Sequence, residues 1–286
     1  MNLKLEIDTV IKLTGASKPQ IKLHNDGYNS RAYVIDDGKY VVKFPKFNCV
    51  NYKTEAQFLN FINTQNTSIN MQKVKHLSSD NRIIAFYGIK GTPLSMLKNL
   101  SLEQQNNIGK QLAIFIRQLH SLELTLPVKK LSHEIDNYKK TYLECADFFS
   151  KHLTIKEKSI LDILVNEYIP KKRLGLGEKL VLCHGDIWDT NILIDASGKV
   201  GLIDCANATI ADEATDFCLY NKTLRNLLLD HYRANDALRQ KVEFKYASSV
   251  IASPKYVIEL EGEAIATKTY LPLIKKVICK YQHFSI

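Results

Sequence analysis

The chain has 286 residues, 45% hydrophobic and 24% charged, an ordinary composition for a folded protein with room for one large or two modest domains. Its net charge of +9 is spread along the chain, and the KK pairs at 129–130, 139–140, 171–172 and 275–276 lack interleaved aromatics. This argues against a nucleic-acid partner and for a Lys-rich solvated surface or a small anionic ligand.

In chain order, the N-terminal MNLKLEIDTVIKL lacks the apolar core of a signal peptide. AYVI (32–35) and KYVVKF (39–44) read as a β-hairpin about the turn signal DDG (36–38). NYKTEAQFLNFINT (51–64) places Ala56, Phe58, Leu59 and Ile62 near helical spacing. RIIAFYGI (82–89) predicts a further strand, ending in the punctuated GTPLS (91–95). SLEQQNNIGKQLAIFIRQLHSL (101–122) opens on a Ser N-cap and predicts a long amphipathic helix. Helices are expected near 133–150 and 155–168. A strand–loop–strand block fills 180–204, and three helices follow over 213–249 and 263–282. The pattern is α+β and bilobal, with a β-rich lobe at 1–89 and a larger, mostly helical lobe at 90–286. No run approaches the ~18 apolar residues of a membrane span. Six scattered cysteines without a CxxC pair argue against both a zinc site and a disulfide framework. The expected location is the cytoplasm, and the expected state a monomer or weak dimer.

The block LVLCHGDIWDTNILIDASGKVGLID (180–204) carries the chemistry. LVLC is a short strand, HGDIWDTN the polar loop after it, and ILID and KVGLID are two strands joined by ASG (196–198). In such a hairpin Asp186, Asn191 and Asp204 converge. An aspartate facing a hydroxyl, with an Asn and a second Asp as hard oxygen ligands for Mg²⁺, is what phosphoryl transfer requires. Singly, each of the three also reads as a loop cap or a strand end. The N-terminal segment supplies the complement: Lys43 on a strand and Glu55 on the following helix, the lysine–glutamate device of kinases. DGYNSRAYVI (26–35) can lie over phosphates, with Gly27 and Ser30 as donors. In this order the five groups outweigh their separate structural readings.

With these residues in place, the chain resembles the aminoglycoside phosphotransferase and choline-kinase-like superfamily, relatives of the protein kinases. HGDxxxxN followed by LID is similar to its catalytic block. YNSRAYVID, YVVKFPK, YKTEAQFLNFI and YGIKGTPLS resemble its nucleotide loop, lysine strand, glutamate helix and hinge. GTPLS and FPK are most similar to the 2''-type aminoglycoside enzymes. The resemblance implies a protein-kinase-like fold and an enzyme that uses ATP or GTP with Mg²⁺ to phosphorylate a small-molecule hydroxyl. It implies Asp186 as catalytic base, Asn191 and Asp204 as Mg²⁺ ligands, and Lys43 on the α/β-phosphates. It also implies backbone contacts from Tyr87 to Ile89 to the purine, and Asp216 as an acid bracing the catalytic loop. Departures at Trp188, Asp189 and Cys205 fall where the loop borders the acceptor. Trp188, Asp189 and Glu213 are therefore the expected acceptor-binding residues, although Trp188 equally suits loop packing. A polycationic acceptor needs acids, and Asp212, Asp230, Asp236, Glu243, Glu259, Glu261 and Glu263 are further candidates, each also readable as solvated charge. The expected activity is an aminoglycoside O-phosphotransferase. The alternatives are a kinase of another metabolite (choline, sugar, homoserine or macrolide type) and a nucleotide-binding pseudokinase.

Overall fold

Period-two alternation in the first hundred residues builds the sheet that carries Lys43. The structure, a computed structural model, describes residues 3–25 and 27–283, so Asp26, the first residue of DGYNSRAYVI, lies outside the described residues. The chain divides into two compact units. The first comprises 1–126, 182–209 and 219–233, and the second 127–181, 210–218 and 234–286.

The first unit opens with helix α1 (Leu3–Thr14), then β1 (Ile21–His24), β2 (Ser30–Ile35), β3 (Tyr40–Pro45) and α2 (Lys53–Ile62). Strands β4 (Asn70–Met71), β5 (Lys73–Leu77), β6 (Ile84–Tyr87) and β7 (Thr92–Pro93) precede the long helix α3 (Leu102–His120). The chain then enters the second unit with α4 (Leu131–Glu144), α5 (Ala146–His152), α6 (Ile155–Ile163), a π turn (Leu164–Tyr168) and α7 (Ile169–Gly175). At β8 (Leu180–Cys183) it returns to the first unit for β9 (Ile192–Ile194) and β10 (Val200–Leu202), and at β11 (Thr209–Asp212) it leaves again. Helix α8 (Lys222–Tyr232) completes the first unit, and α9 (Asp236–Glu261) and α10 (Glu263–Tyr281) the second. No helix among the described residues is long and apolar enough to cross a membrane.

The first unit holds two sheets, of order β1-β2-β3-β6-β5 and β4-β10-β9-β7. In the first, β2 pairs antiparallel with β3, setting Ala32 opposite Lys43 and Ser30 opposite Pro45. Alternation sends Tyr33, Ile35, Val42 and Phe44 into a core shared with Val10 of α1, which leaves Lys43 on the opposite face. The DDG turn forms, with Asp36, Asp37 and Gly38 all at positive φ (55°, 51° and 95°). In α3, Ser101 accepts the Gln104 N–H at 3.1 Å and Gln104 returns a bond to the Ser101 N–H at 2.8 Å, closing the expected capping box.

Three features differ from the sequence reading. Residues 3–14 form a helix where the sequence reading assigned no element. The helix expected at 133–150 is two helices that meet at Cys145, and 213–217 is a 3₁₀ turn. β7 pairs with β9 and β4 with β10, so the β9–β10 hairpin belongs with the N-terminal sheets.

Candidate active site

The hairpin β9–β10 brings Asn191 and Asp204 to the same end. Leu202 pairs with Ile192, and beyond this pair the Ile203 N–H donates to the Asn191 carbonyl at 3.1 Å. The turn between the strands is sealed by Asp195, whose Oδ1 accepts the Ser197 and Lys199 N–H groups at 2.8 and 3.0 Å. Asp204 then takes the left-handed conformation, φ 64°, which an aspartate tolerates better than most residues.

The loop from Asp186 to Asn191 folds back on itself. The Asp186 carbonyl accepts the Trp188 N–H at 3.0 Å. Asn191 Nδ2 donates to the same carbonyl at 3.0 Å and to Asp186 Oδ2 at 2.9 Å. Before it, His184 is fully buried, accepts the Asp186 N–H on Nδ1 at 3.3 Å and sets Nε2 3.5 Å from Cys205 Sγ. Gly185 is required between them: its φ is 82°, and a Cβ there would sit 2.2 Å from the Asn207 carbonyl oxygen.

Lys43 reaches the hairpin from β3. Its Nζ lies 2.9 Å from Glu55 Oε1 and 3.0 Å from Asp204 Oδ1, joining residues 161 positions apart. Burial alone would lower this ammonium, but the charges of Asp204 and Glu55 outweigh it and raise its pKa. Burial pushes the Glu55 carboxyl up against the attraction of Lys43, whereas Lys43 holds the partly exposed Asp204 below the usual carboxylate range. Asp186 is the opposite case. Its desolvation and the facing charge of Asp204 push its carboxyl up to about 7, against hydrogen bonds from the Asn191 and Trp188 side chains. Two nearby carboxylates thus have pKa values driven apart, a pattern found where proton transfer and charge stabilisation are divided between two groups.

The donor set fits Mg²⁺ in kind. Asn191 spends Nδ2 on Asp186, which directs its amide oxygen elsewhere, and Asp204 stays ionised beside it; both offer hard oxygen.

The remaining predicted residues fall into two groups. Ser30 lies at the start of β2 and accepts the Tyr52 hydroxyl proton at 2.8 Å, next to the loop that precedes it. Tyr87 ends β6 with its side chain exposed. After it, the Gly88 N–H donates to the Lys39 carbonyl at 2.9 Å. Ile89 lies over β10, its Cδ1 2.5 Å from where a Cβ of Gly201 would stand. Ser30, Lys43, Glu55, Asp186, Asn191, Asp204 and the 87–89 segment all belong to the first unit.

Of the three expected acceptor residues, Trp188 and Asp189 lie in the first unit and Glu213 in the second. Trp188 is half-buried, with its ring 4.9 Å from that of Tyr220, the packing alternative. The Asp189 carboxylate accepts the Tyr220 N–H and faces Arg225, and its Oδ1 is buried without a hydrogen bond. Glu213 belongs to the second unit, paired with Lys179 at 3.0 Å and Lys241 at 3.5 Å. Asp216 is fully buried in the same 3₁₀ turn. Sequence reading missed Tyr52 and His184, although the histidine of HGD was in view. Nothing local marks a tyrosine hydroxyl that is used 22 residues away.

A family model described as the phosphotransferase enzyme family (APH) matches residues 20–243. The chain belongs to this phosphotransferase family. Solved structures share the fold of this phosphotransferase. The GDP and kanamycin complex of APH(2")-IIia superposes with a TM-score of 0.77 at 15% identity, over 96% of this chain and 99% of that one. The streptomycin–ATP ternary complex of APH(2")-IIa does so with a TM-score of 0.66 at 20% identity, over 96% and 99%. A macrolide 2'-phosphotransferase, MphH from Brachybacterium faecium, gives a TM-score of 0.62 at 13% identity, over 93% and 98%. In sequence, an aminoglycoside 3'-phosphotransferase of Acinetobacter baumannii is 42% identical over 48 residues, which are 17% of this chain and 18% of that protein. The α+β, kinase-like architecture implied by the sequence resemblance is the one found.

Proposed function

We propose that this phosphotransferase moves the γ-phosphate of a Mg²⁺–nucleoside triphosphate to a hydroxyl of a small molecule, with aminoglycosides as the first acceptor class. The observation that carries the reading is the Lys43 ammonium shared between Glu55 and Asp204 beside an Asp186 carboxyl poised at about 7. The ion pair with Glu55 fixes a cation where α/β-phosphates need one, and the contact with Asp204 ties that cation to the metal-binding end of the hairpin. Asn191 and Asp204 would hold the metal, which when bound supplies charge neutralisation to the phosphates.

Asp186 orients the acceptor hydroxyl and takes its proton. Asn191, bonded to Asp186 Oδ2, holds that carboxylate in place, and positioning dominates because the transition state is largely dissociative. Ser30 and the loop before it cover the phosphates, and the backbone from Tyr87 to Ile89 reads the purine. Trp188, half-buried beside the Asp186 carboxyl, borders the acceptor. The aminoglycoside assignment is supported by neighbours whose complexes contain kanamycin, streptomycin or gentamicin.

The test is Mg²⁺-dependent turnover of ATP and of GTP across aminoglycosides, macrolides, choline and simple sugars, with Asp186→Asn as the blank. Stimulation by an aminoglycoside in the wild type, reduced by about 10³-fold or more in the variant while nucleotide binding persists, is the expected result. Stimulation by another acceptor class alone would move the substrate. Near-full activity of Asp186→Asn would overturn the assignment of the base.

A further inference from the structure

The family match begins at residue 20 and leaves helix α1 outside it, yet α1 contributes a buried charge. Glu6 is fully buried and takes three side-chain hydrogen bonds. Arg31 Nε donates to its Oε2 at 3.1 Å and Arg31 Nη2 to its Oε1 at 2.6 Å, a two-pronged fork, while the Tyr33 hydroxyl donates to Oε2 at 2.8 Å. Arg31 Nη2 also reaches the Pro45 carbonyl at 3.3 Å. Arg31 and Pro45 frame the mouth of the β2–β3 hairpin, since Ser30 pairs with Pro45 and Arg31 with Phe44. One residue further on, the Lys46 N–H donates to the Asn29 carbonyl at 2.9 Å and Lys46 Nζ to the Asn25 carbonyl at 2.5 Å. Glu6, Arg31 and Pro45 therefore adjoin the junction at which Lys46 holds Asn29 and Asn25, the residues that lead toward Ser30.

A carboxylate is expensive to bury, and a fork plus a hydroxyl is close to the full set of partners that makes burial tolerable. If α1 served only to cover the sheet, an apolar residue beside Val10 would suffice. We propose that Glu6 is a positioning residue for the nucleotide: through Arg31 it fixes the junction of β2 and β3 and with it the residues from Gly27 to Ser30 that lie over the phosphates. The proposal rests on the reading of those residues as the phosphate loop. Glu6 touches no substrate. Its effect falls on nucleotide affinity rather than on the chemical step, because Lys43 and Asp186 lie on the other face of the sheet or beyond it.

The experiment measures Kd for a fluorescent ATP analogue and for a GTP analogue with Mg²⁺, alongside thermal unfolding, for the full chain and three variants. Glu6→Gln keeps the size of the side chain and removes the charge. Arg31→Lys keeps the charge and removes the fork, and serves if Glu6→Gln does not fold. Val10→Ala loosens the packing of α1 without touching the hydrogen bonds. The expected result is nucleotide binding weakened by about five-fold or more in Glu6→Gln and Arg31→Lys. Val10→Ala should lower Tm and leave Kd unchanged. Equal Kd in wild type, Glu6→Gln and Arg31→Lys would overturn the proposal and leave the phosphotransferase reading intact. Weakening in Val10→Ala equal to that in Glu6→Gln would also overturn it, since packing alone would then explain the effect. Failure of the wild type to bind either analogue would overturn the reading of the loop itself, and the proposal with it.

Discussion

Asn191 Nδ2 lies 2.9 Å from Asp186 Oδ2 and 3.0 Å from the Asp186 carbonyl, so one amide group holds both the side chain and the backbone of the residue five positions before it. The amide is thereby oriented: its nitrogen serves the proposed base and its oxygen is left for a cation. Asn191→Leu, of similar size, should impair both roles. We expect the Mg²⁺ concentration for half-maximal nucleotide binding to rise about ten-fold, and turnover to fall further than saturating Mg²⁺ restores. Mg²⁺ titration of nucleotide binding and of turnover checks this, and full rescue of turnover at high Mg²⁺ would leave Asn191 a metal ligand alone.

Lys43 and Glu55 should behave as a unit. Lys43→Met leaves a carboxylate buried without its cation and Glu55→Gln leaves the ammonium to Asp204 alone. Each is expected to cost about 3 kcal/mol of stability, with the double variant costing clearly less than the sum. Denaturant unfolding of the four proteins measures the coupling. Strict additivity would show the two groups to be energetically independent despite the 2.9 Å contact.

Asp186 gives the metal-free protein a pH signature. Its carboxyl titrates at about 7 in the fold against an ordinary 3.8, so between those values the folded state holds the proton more tightly than the unfolded chain does. Its contribution to stability therefore falls as pH rises through that window, and the penalty is complete above about 7. Asp186→Asn lacks the penalty and should gain on the wild type by about 2 kcal/mol between pH 4 and pH 8. Unfolding curves in chelator at the two pH values test it; a constant difference would refute the shift.

Glu134 of α4 has the opposite sign. Burial opposes its ionisation, but Lys245, 2.5 Å away, and Arg173, 3.7 Å away, outweigh burial and hold its carboxyl down at about 2. Its stabilisation is present above the ordinary value of 4.5 and is lost as pH falls toward 2. Glu134→Gln should cost about 3 kcal/mol at pH 7 and progressively less below pH 4.5. Acid unfolding monitored by circular dichroism would show the two curves converging.

What the sequence revealed and what it concealed follow from range. The β2–β3 hairpin, α2 and α3 are written in local signals: alternation around DDG, apolar spacing from Ala56 to Ile62, and the Ser101–Gln104 box. The contacts that join Lys43 to Glu55 and Asp204, and Asn191 to Asp186, were legible because these groups lie in short, recognisable motifs. Helix α1 was hidden because one of its inward positions is Glu6, a charge whose partners stand 25 and 27 residues away, so the sequence shows a polar residue where the core has a satisfied one. Helix α7 was hidden by Pro170 and a lysine pair, although a proline is at home in a helix's first turn. The neighbours of Asp189 were hidden because nothing near it in sequence announces Tyr220 and Arg225.

Gly201 has a consequence for evolvability. Its missing side chain is the seat of Ile89, and three residues later, just past the end of the strand, comes Asp204. The part of the chain assigned to the base of the nucleotide and the part assigned to its phosphates are thus gauged against one short ruler. A larger residue at 201 would slide one end relative to the other, so drift in purine preference here has to move together with the geometry of transfer.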